Sequence, residues 1–92
     1  MYLLLCYDIS GNARRQQLHT RLKAFLRPVQ KSVFEGPLDD RRYRDLLRLV
    51  HRFVQHEVDS VRIYRLCGTC THAMTLIGTA VPVPDGPEDV FV

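Results

Sequence analysis

The sequence predicts an α/β sandwich in which two amphipathic helices pack on one sheet. Three observations lead there: strand-length apolar or alternating runs are interleaved with helix-period stretches, each helical stretch has one apolar face, and Pro28 and Gly36-Pro37 punctuate the chain. With 92 residues, 46% of them hydrophobic and 25% charged, the chain reads as one globular domain without low-complexity tracts or solenoid repeats. A chain this short buries only a little over ~60% of its unfolded surface, so self-association would help it.

Each element follows in order. The apolar run from Met1 to Cys6 reads as a buried strand, which delivers Asp8 just before the polar turn Ser10-Gly11-Asn12. Asn12 or Ser10 caps a helix to about Leu26, with Leu18, Leu22, Phe25 and Leu26 on one face, and Pro28 ends it. Val29 to Gly36 alternates and reads as a strand. Asp39 or Asp40 then caps a second helix to about His56, whose stripe is Tyr43, Leu46, Leu47, Val50, Phe53 and Val54. Asp59 to Leu66 alternates again, and a loop leads to a last strand from about Met74 to Ala80. Residues 1–80 form the domain. The three prolines of residues 81–92 forbid helix and leave an edge strand or an arm lying on a partner subunit.

Charge is unevenly distributed. Residues 1–34 sum to +5, residues 35–66 to +1 and residues 67–92 to −3, for a net +3. Arginine outnumbers lysine eleven to two, and its planar fork suits bidentate phosphate contact. A polyanionic partner and an ordinary solvated basic surface both fit that composition. Met1 to Cys6 lacks a basic leader, no run approaches the ~20 apolar residues of a membrane helix, and three cysteines suggest reduced thiols. A cytoplasmic protein that does not enter membranes is expected.

Several residues stand out chemically. Arg14 and Arg15 project near the Leu18 and Leu22 direction but a turn earlier, so they overhang the sheet end from which Asp8 emerges. Asp8, Ser10, Arg14 and Arg15 are thus expected at one place, either as a nucleic-acid site or as an ion pair closing the turn. Arg41, Arg44, Arg48 and Arg52 lie opposite the apolar stripe of the second helix with no acid on that face, as a phosphate-tracking stripe or a plain solvent face. Cys67-Gly-Thr-Cys70 resembles half a zinc or redox motif but lacks a second pair, so packing thiols are the simpler reading. His19, His51 and His56 read as helix-surface histidines.

Taken together, Tyr7-Asp8-Ile9-Ser10, the arginine-bearing first helix, Val29-Gln30-Lys31-Ser32-Val33-Phe34-Glu35-Gly36 and Asp59-Ser60-Val61-Arg62-Ile63-Tyr64 resemble the CRISPR-associated protein 2 family over about residues 1–80. The C-x-x-C also recurs in members of that family. The resemblance implies a ferredoxin-like α+β fold with a mainly antiparallel sheet, a homodimer with the C-terminal strand on the partner, and the central place in a spacer-acquisition complex bound by the CRISPR integrase subunit. It also implies Mg²⁺ (or another divalent cation) and endonuclease activity on RNA or duplex DNA in some members. That fold needs one strand more than the pattern supplies, through a reversal somewhere in residues 28–38. Carried over by position, Asp8 matches the metal-binding catalytic acid, Arg15 a first-helix arginine implicated in activity, and Phe34 an aromatic near the site; Arg14, Arg15, Arg44, Arg48 and Arg52 are the candidate nucleic-acid contacts. The chain departs from the family pattern at Pro28, where an arginine is frequent, and at Gln17.

A two-fold axis gives Asp8 a physical role. Two carboxylates facing each other at ~5 Å repel by about 3 kcal/mol at an effective dielectric of 20. Sharing a proton or binding a divalent cation offsets that repulsion.

Overall fold

The computed structural model describes residues 1–69, 73, 75, 77 and 78. Six elements follow in order: β1 (Tyr2–Asp8), α1 (Asn12–Leu22), β2 (Arg27–Gln30), β3 (Val33–Pro37), α2 (Asp40–Phe53) and β4 (Ser60–Leu66). The strands form one antiparallel sheet in the order β2-β3-β1-β4. This is the βαββαβ arrangement of the ferredoxin-like α+β fold, as expected.

Strand parity decides which side chains the helices cover. Leu3, Leu5 and Tyr7 alternate onto one face of β1 and pack with Phe34, Leu18, Leu22, Leu46 and Val50 in a single core. Leu4, Cys6 and Asp8 point the other way, beside Val33 and Glu35 on β3 and Arg62 and Tyr64 on β4. No described helix covers that second face, and Tyr64 is 45% exposed there.

The reversal expected within residues 28–38 falls inside the stretch read as one strand, and the extra strand β2 begins two residues before it. Lys31 and Ser32 form the turn of a β2–β3 hairpin, with an irregular register between Pro28 and Gln30. Neither residue is Gly, Asn or Asp, so the reversal carries no sequence signal. Arg27 opposes Glu35 and pairs with it at 2.9 Å, which ties β2 to β3 across the ladder.

Helix ends also differ from expectation. α1 stops at Leu22, four residues early: Ala24 and Phe25 bond back to Arg21 and Leu22 in tighter turns as the chain prepares for the extended Arg27 that Pro28 demands. Leu26 still reaches the core, which is why the apolar spacing reads on as helix. The N-cap is Gly11, with no side-chain cap from Ser10 or Asn12, because both are engaged elsewhere. α2 begins as expected, with Asp39 Oδ1 accepting from the Arg42 amide at 2.7 Å. It ends at Phe53 rather than His56, because the Gln55 amide donates to Asp59 at 2.8 Å and Asp59's own amide bonds back to Gln55. The last strand and the 81–92 arm lie, apart from three isolated positions, outside the described residues, as do Cys70 and His72.

Candidate nucleic-acid site at the end of strand β1

Two carboxylates meet at this end of the sheet. Asp8 is the last residue of β1 and pairs with Ser60, the first residue of β4, so Asp59 lies just before β4, one residue beyond that pair. Their environments are opposite.

Asp59 is saturated. Its side chain is 0% exposed, forms an ion pair with Arg14, and accepts from the Ser10 amide (2.9 Å), the Ser10 hydroxyl (3.1 Å) and the Gln55 amide (2.8 Å). The Arg14 hydrogen bond, outweighing the cost of burial, together with the other donors holds the Asp59 carboxyl well below the usual carboxylate range. Arg14 also donates to the Phe53 carbonyl at 3.1 Å, so one side chain closes the end of α2 and the start of β4 together.

Asp8 is exposed, and none of the described residues bonds its carboxylate. The expected grouping of Asp8, Ser10, Arg14 and Arg15 is therefore divided. Ser10 and Arg14 belong to Asp59 and build the turn, whereas Arg15 donates to the Ile9 carbonyl at 2.9 Å and bonds Asn12 Oδ1, staying beside Asp8. An ion pair does close this turn, but its acid is Asp59. The sequence spacing could not show this, because the approach of β4 to β1 appears only once the strand order is known.

Asp8 and Arg15 line an open depression of about 840 Å³, together with Tyr7, His19, Lys31 and Ser32 among others. Arg15, on its helical face, and Lys31, on the hairpin turn, give the depression positive charge around a single acid. Phe34 is 0% exposed and touches the rings of Tyr7 and His19 from behind, at 6.2 and 5.0 Å between centroids. It supports the site from the core and cannot itself reach a substrate. Tyr7 is buried, which pushes its phenol up while the Arg15 charge pulls partly back, so it stays a neutral hydroxyl near pH 7. His19, expected on the helix surface, is instead half-buried in this wall; its spacing of four from Arg15 was the available signal.

On α2, Arg41, Arg44, Arg48 and Arg52 are exposed, as expected. The face is not free of acids, however: Asp45, three residues before Arg48, pairs with it at 2.9 Å. Among the described residues, no group of three or more His, Cys, Asp or Glu side chains is placed to hold a metal ion.

Comparison with known proteins gives this arrangement a context. The family model described as CRISPR associated protein Cas2 matches residues 1–74. The chain belongs to the Cas2 family. A relative named CRISPR-associated endoribonuclease Cas2, from Chloroflexus aurantiacus, is 36% identical over 100% of this chain and 99% of its own length. Another, named CRISPR-associated endonuclease Cas2, from Thermus thermophilus, is 41% identical over 70% of this chain and 71% of its own. The crystal structure of Streptococcus pyogenes Cas2 superposes with a TM-score of 0.73, covering 85% of this chain and 100% of that one; at 23% identity it speaks to the fold. Both sequence relatives carry nuclease names, and the βαββαβ sheet is the Cas2 fold. Among the described residues no helix is long and apolar enough to cross a membrane.

Proposed function

We propose that this Cas2 chain acts on nucleic acid as a homodimer joined through the uncovered face of its sheet, with the two Asp8 carboxylates together forming a divalent-cation site for endonuclease chemistry. The observation that carries the proposal is the placement of Asp8. It is exposed, unbonded among the described residues, and shares strand parity with Leu4 and Cys6 on the face where Tyr64 stands open. Packing that face against a second copy buries Leu4, Cys6 and Tyr64 and brings the Asp8 carboxylates toward each other.

One exposed carboxylate per chain is too few for an all-protein cation cage, but two suit Mg²⁺, which keeps most of its waters and takes its remaining oxygens from phosphate. Bound there, the cation supplies charge neutralisation and a readily deprotonated water. This chain's own residues do the rest. The Asp8 pair holds the cation, Arg15 and Lys31 bind and orient the phosphodiester, and the clamp on Asp59 fixes Ser10, two residues beyond Asp8, so that the acid is held in place. Phe34 keeps Tyr7 and the pocket wall rigid from below.

A second reading is favoured by the exposed arginines of α2. The dimer would then serve CRISPR adaptation as a scaffold in the cytoplasm, with Arg44, Arg48 and Arg52 tracking duplex phosphates for the CRISPR integrase subunit and no bond cleaved. Incubating the purified chain with RNA and with duplex DNA, with Mg²⁺ or with EDTA, separates the two. Cleavage that needs Mg²⁺ and disappears in Asp8→Asn supports the nuclease; salt-sensitive duplex binding with no cleavage supports the scaffold.

A further inference from the structure

The Tyr7 hydroxyl lies 3.1 Å from the Lys31 carbonyl oxygen and 3.1 Å from His19 Nδ1. A phenol has one proton and a carbonyl oxygen has none, so the contact with Lys31 uses the Tyr7 proton. The proton in the contact with His19 must then come from the ring. Nδ1 carries hydrogen, and in the neutral imidazole Nε2 therefore carries a lone pair. The phenol, kept neutral by burial, preserves this order.

The ring cannot turn away easily. Its edge packs on Phe34 at 5.0 Å between centroids and 64° between planes, and Phe34 is fully buried. With Nδ1 tied to β1 and one edge against Phe34, Nε2 is the edge left over, and His19 lines the same depression as Asp8, Arg15 and Lys31. None of the described residues bonds that nitrogen.

We infer that His19 is a phosphate-contacting residue of this depression, its Nε2 presented toward a nucleic-acid phosphodiester by the Lys31 carbonyl–Tyr7 hydroxyl–Nδ1 chain. The inference rests on the nucleic-acid reading above and adds a residue and a pH dependence to it. As imidazolium, the ring donates from Nε2 to a phosphate oxygen beside Arg15 and Lys31; as neutral imidazole it offers only a lone pair and the contact is lost. The charged or titratable groups around it are Tyr7 and Asp8 from β1, Arg15 from its own helix and Lys31 from the hairpin turn.

Two measurements test this. The first is ¹⁵N NMR of the histidines in the wild-type protein, at a pH where the rings are neutral, which reports the nitrogen that carries hydrogen. The expected result is Nδ1–H for His19, reverting to Nε2–H in Tyr7→Phe; Nε2–H in the wild type would overturn the inference without any variant of His19 having to fold. The second is anisotropy of a fluorescein-labelled DNA duplex at fixed salt, with EDTA present. His19→Gln should weaken binding about tenfold near pH 6 and less than about twofold near pH 8.5. Because His51, His56 and His72 remain in both proteins, the difference isolates His19. An equal loss at both pH values, or no loss at either, contradicts the inference. If the wild type binds duplex and its Mg²⁺-dependent cleavage responds to Asp8→Asn while His19→Gln is silent, this inference fails alone; if the wild type binds no duplex, it fails together with the proposed function.

Discussion

Asp8 ends β1 and Asp59 immediately precedes the neighbouring β4 at the same end of the sheet, and both lie close to the arginines of α1, yet one is exposed and unbonded among the described residues and the other is enclosed by donors. The difference lies in the backbone around them. Asp59 sits where the α2–β4 turn and the β1–α1 turn converge, so two amides, a hydroxyl and a guanidinium reach it within a normal hydrogen bond or closer. Asp8 sits one step back on the strand, where parity turns its side chain to the face without helices. An acid that folding has already satisfied is a strut, and an exposed acid without a bonded partner is available to a cation or to a second copy.

The sharpest test of that contrast exchanges the two charges for amides. Asp8→Asn should reduce Mg²⁺-dependent cleavage by about a hundredfold or more while leaving the thermal midpoint nearly unchanged, as read by a gel assay beside calorimetry. Asp59→Asn should do the reverse in kind, lowering the midpoint by more than about 8 °C, because an enclosed acceptor of four donors loses its charge. Should Asp59→Asn melt like the wild type, the strut assignment is wrong.

Acid titration sharpens the same comparison. The folded-state carboxyl of Asp59 is depressed, so its contribution to stability is fully present above the ordinary carboxylate range near pH 4 and is lost as pH falls from there toward the depressed native value. Calorimetric midpoints measured from about pH 5 downward should fall more steeply for the wild type than for Asp59→Asn. Equal slopes would contradict it.

Smaller effects belong to the two surfaces. Tyr64→Asp, on the uncovered face, should shift sedimentation from dimer toward monomer at micromolar concentration with the helix-covered core intact; an unchanged dimer would place the interface elsewhere. Replacing Arg44, Arg48 and Arg52 with alanine should flatten the log–log salt slope of duplex binding by about 2 to 3, since each phosphate contact contributes about 0.9. Arg48 alone should give the least change, because Asp45 already holds its guanidinium.

How much of this was readable beforehand depends on what each feature is made of. The apolar stripe of α2, a cap at Asp39 or Asp40 and the alternation of β4 are local, and the sequence carries them to within a few residues at their ends. The β2–β3 turn at Lys31-Ser32 was not readable, because it has no Gly, Asn or Asp to mark it and its two strands together look like one alternating run. Leu26 misled the reading of α1 by staying buried after the helix had ended. The site divides in the same way. That Asp8 terminates β1 is a local fact, whereas Arg14 choosing Asp59, Phe34 retreating into the core and His19 turning into the wall all follow from which strands become neighbours. Spacing along one helix names the residues on a face but not the strand that face will meet.

Cation stoichiometry tests the central claim most directly. Titrating the wild-type chain with Mn²⁺ and counting free ion by electron paramagnetic resonance should give about one bound ion for every two chains, lost in Asp8→Asn and retained in Asp59→Glu, which keeps the strut's charge. One ion per chain, or binding that survives Asp8→Asn, would contradict a site shared between two copies.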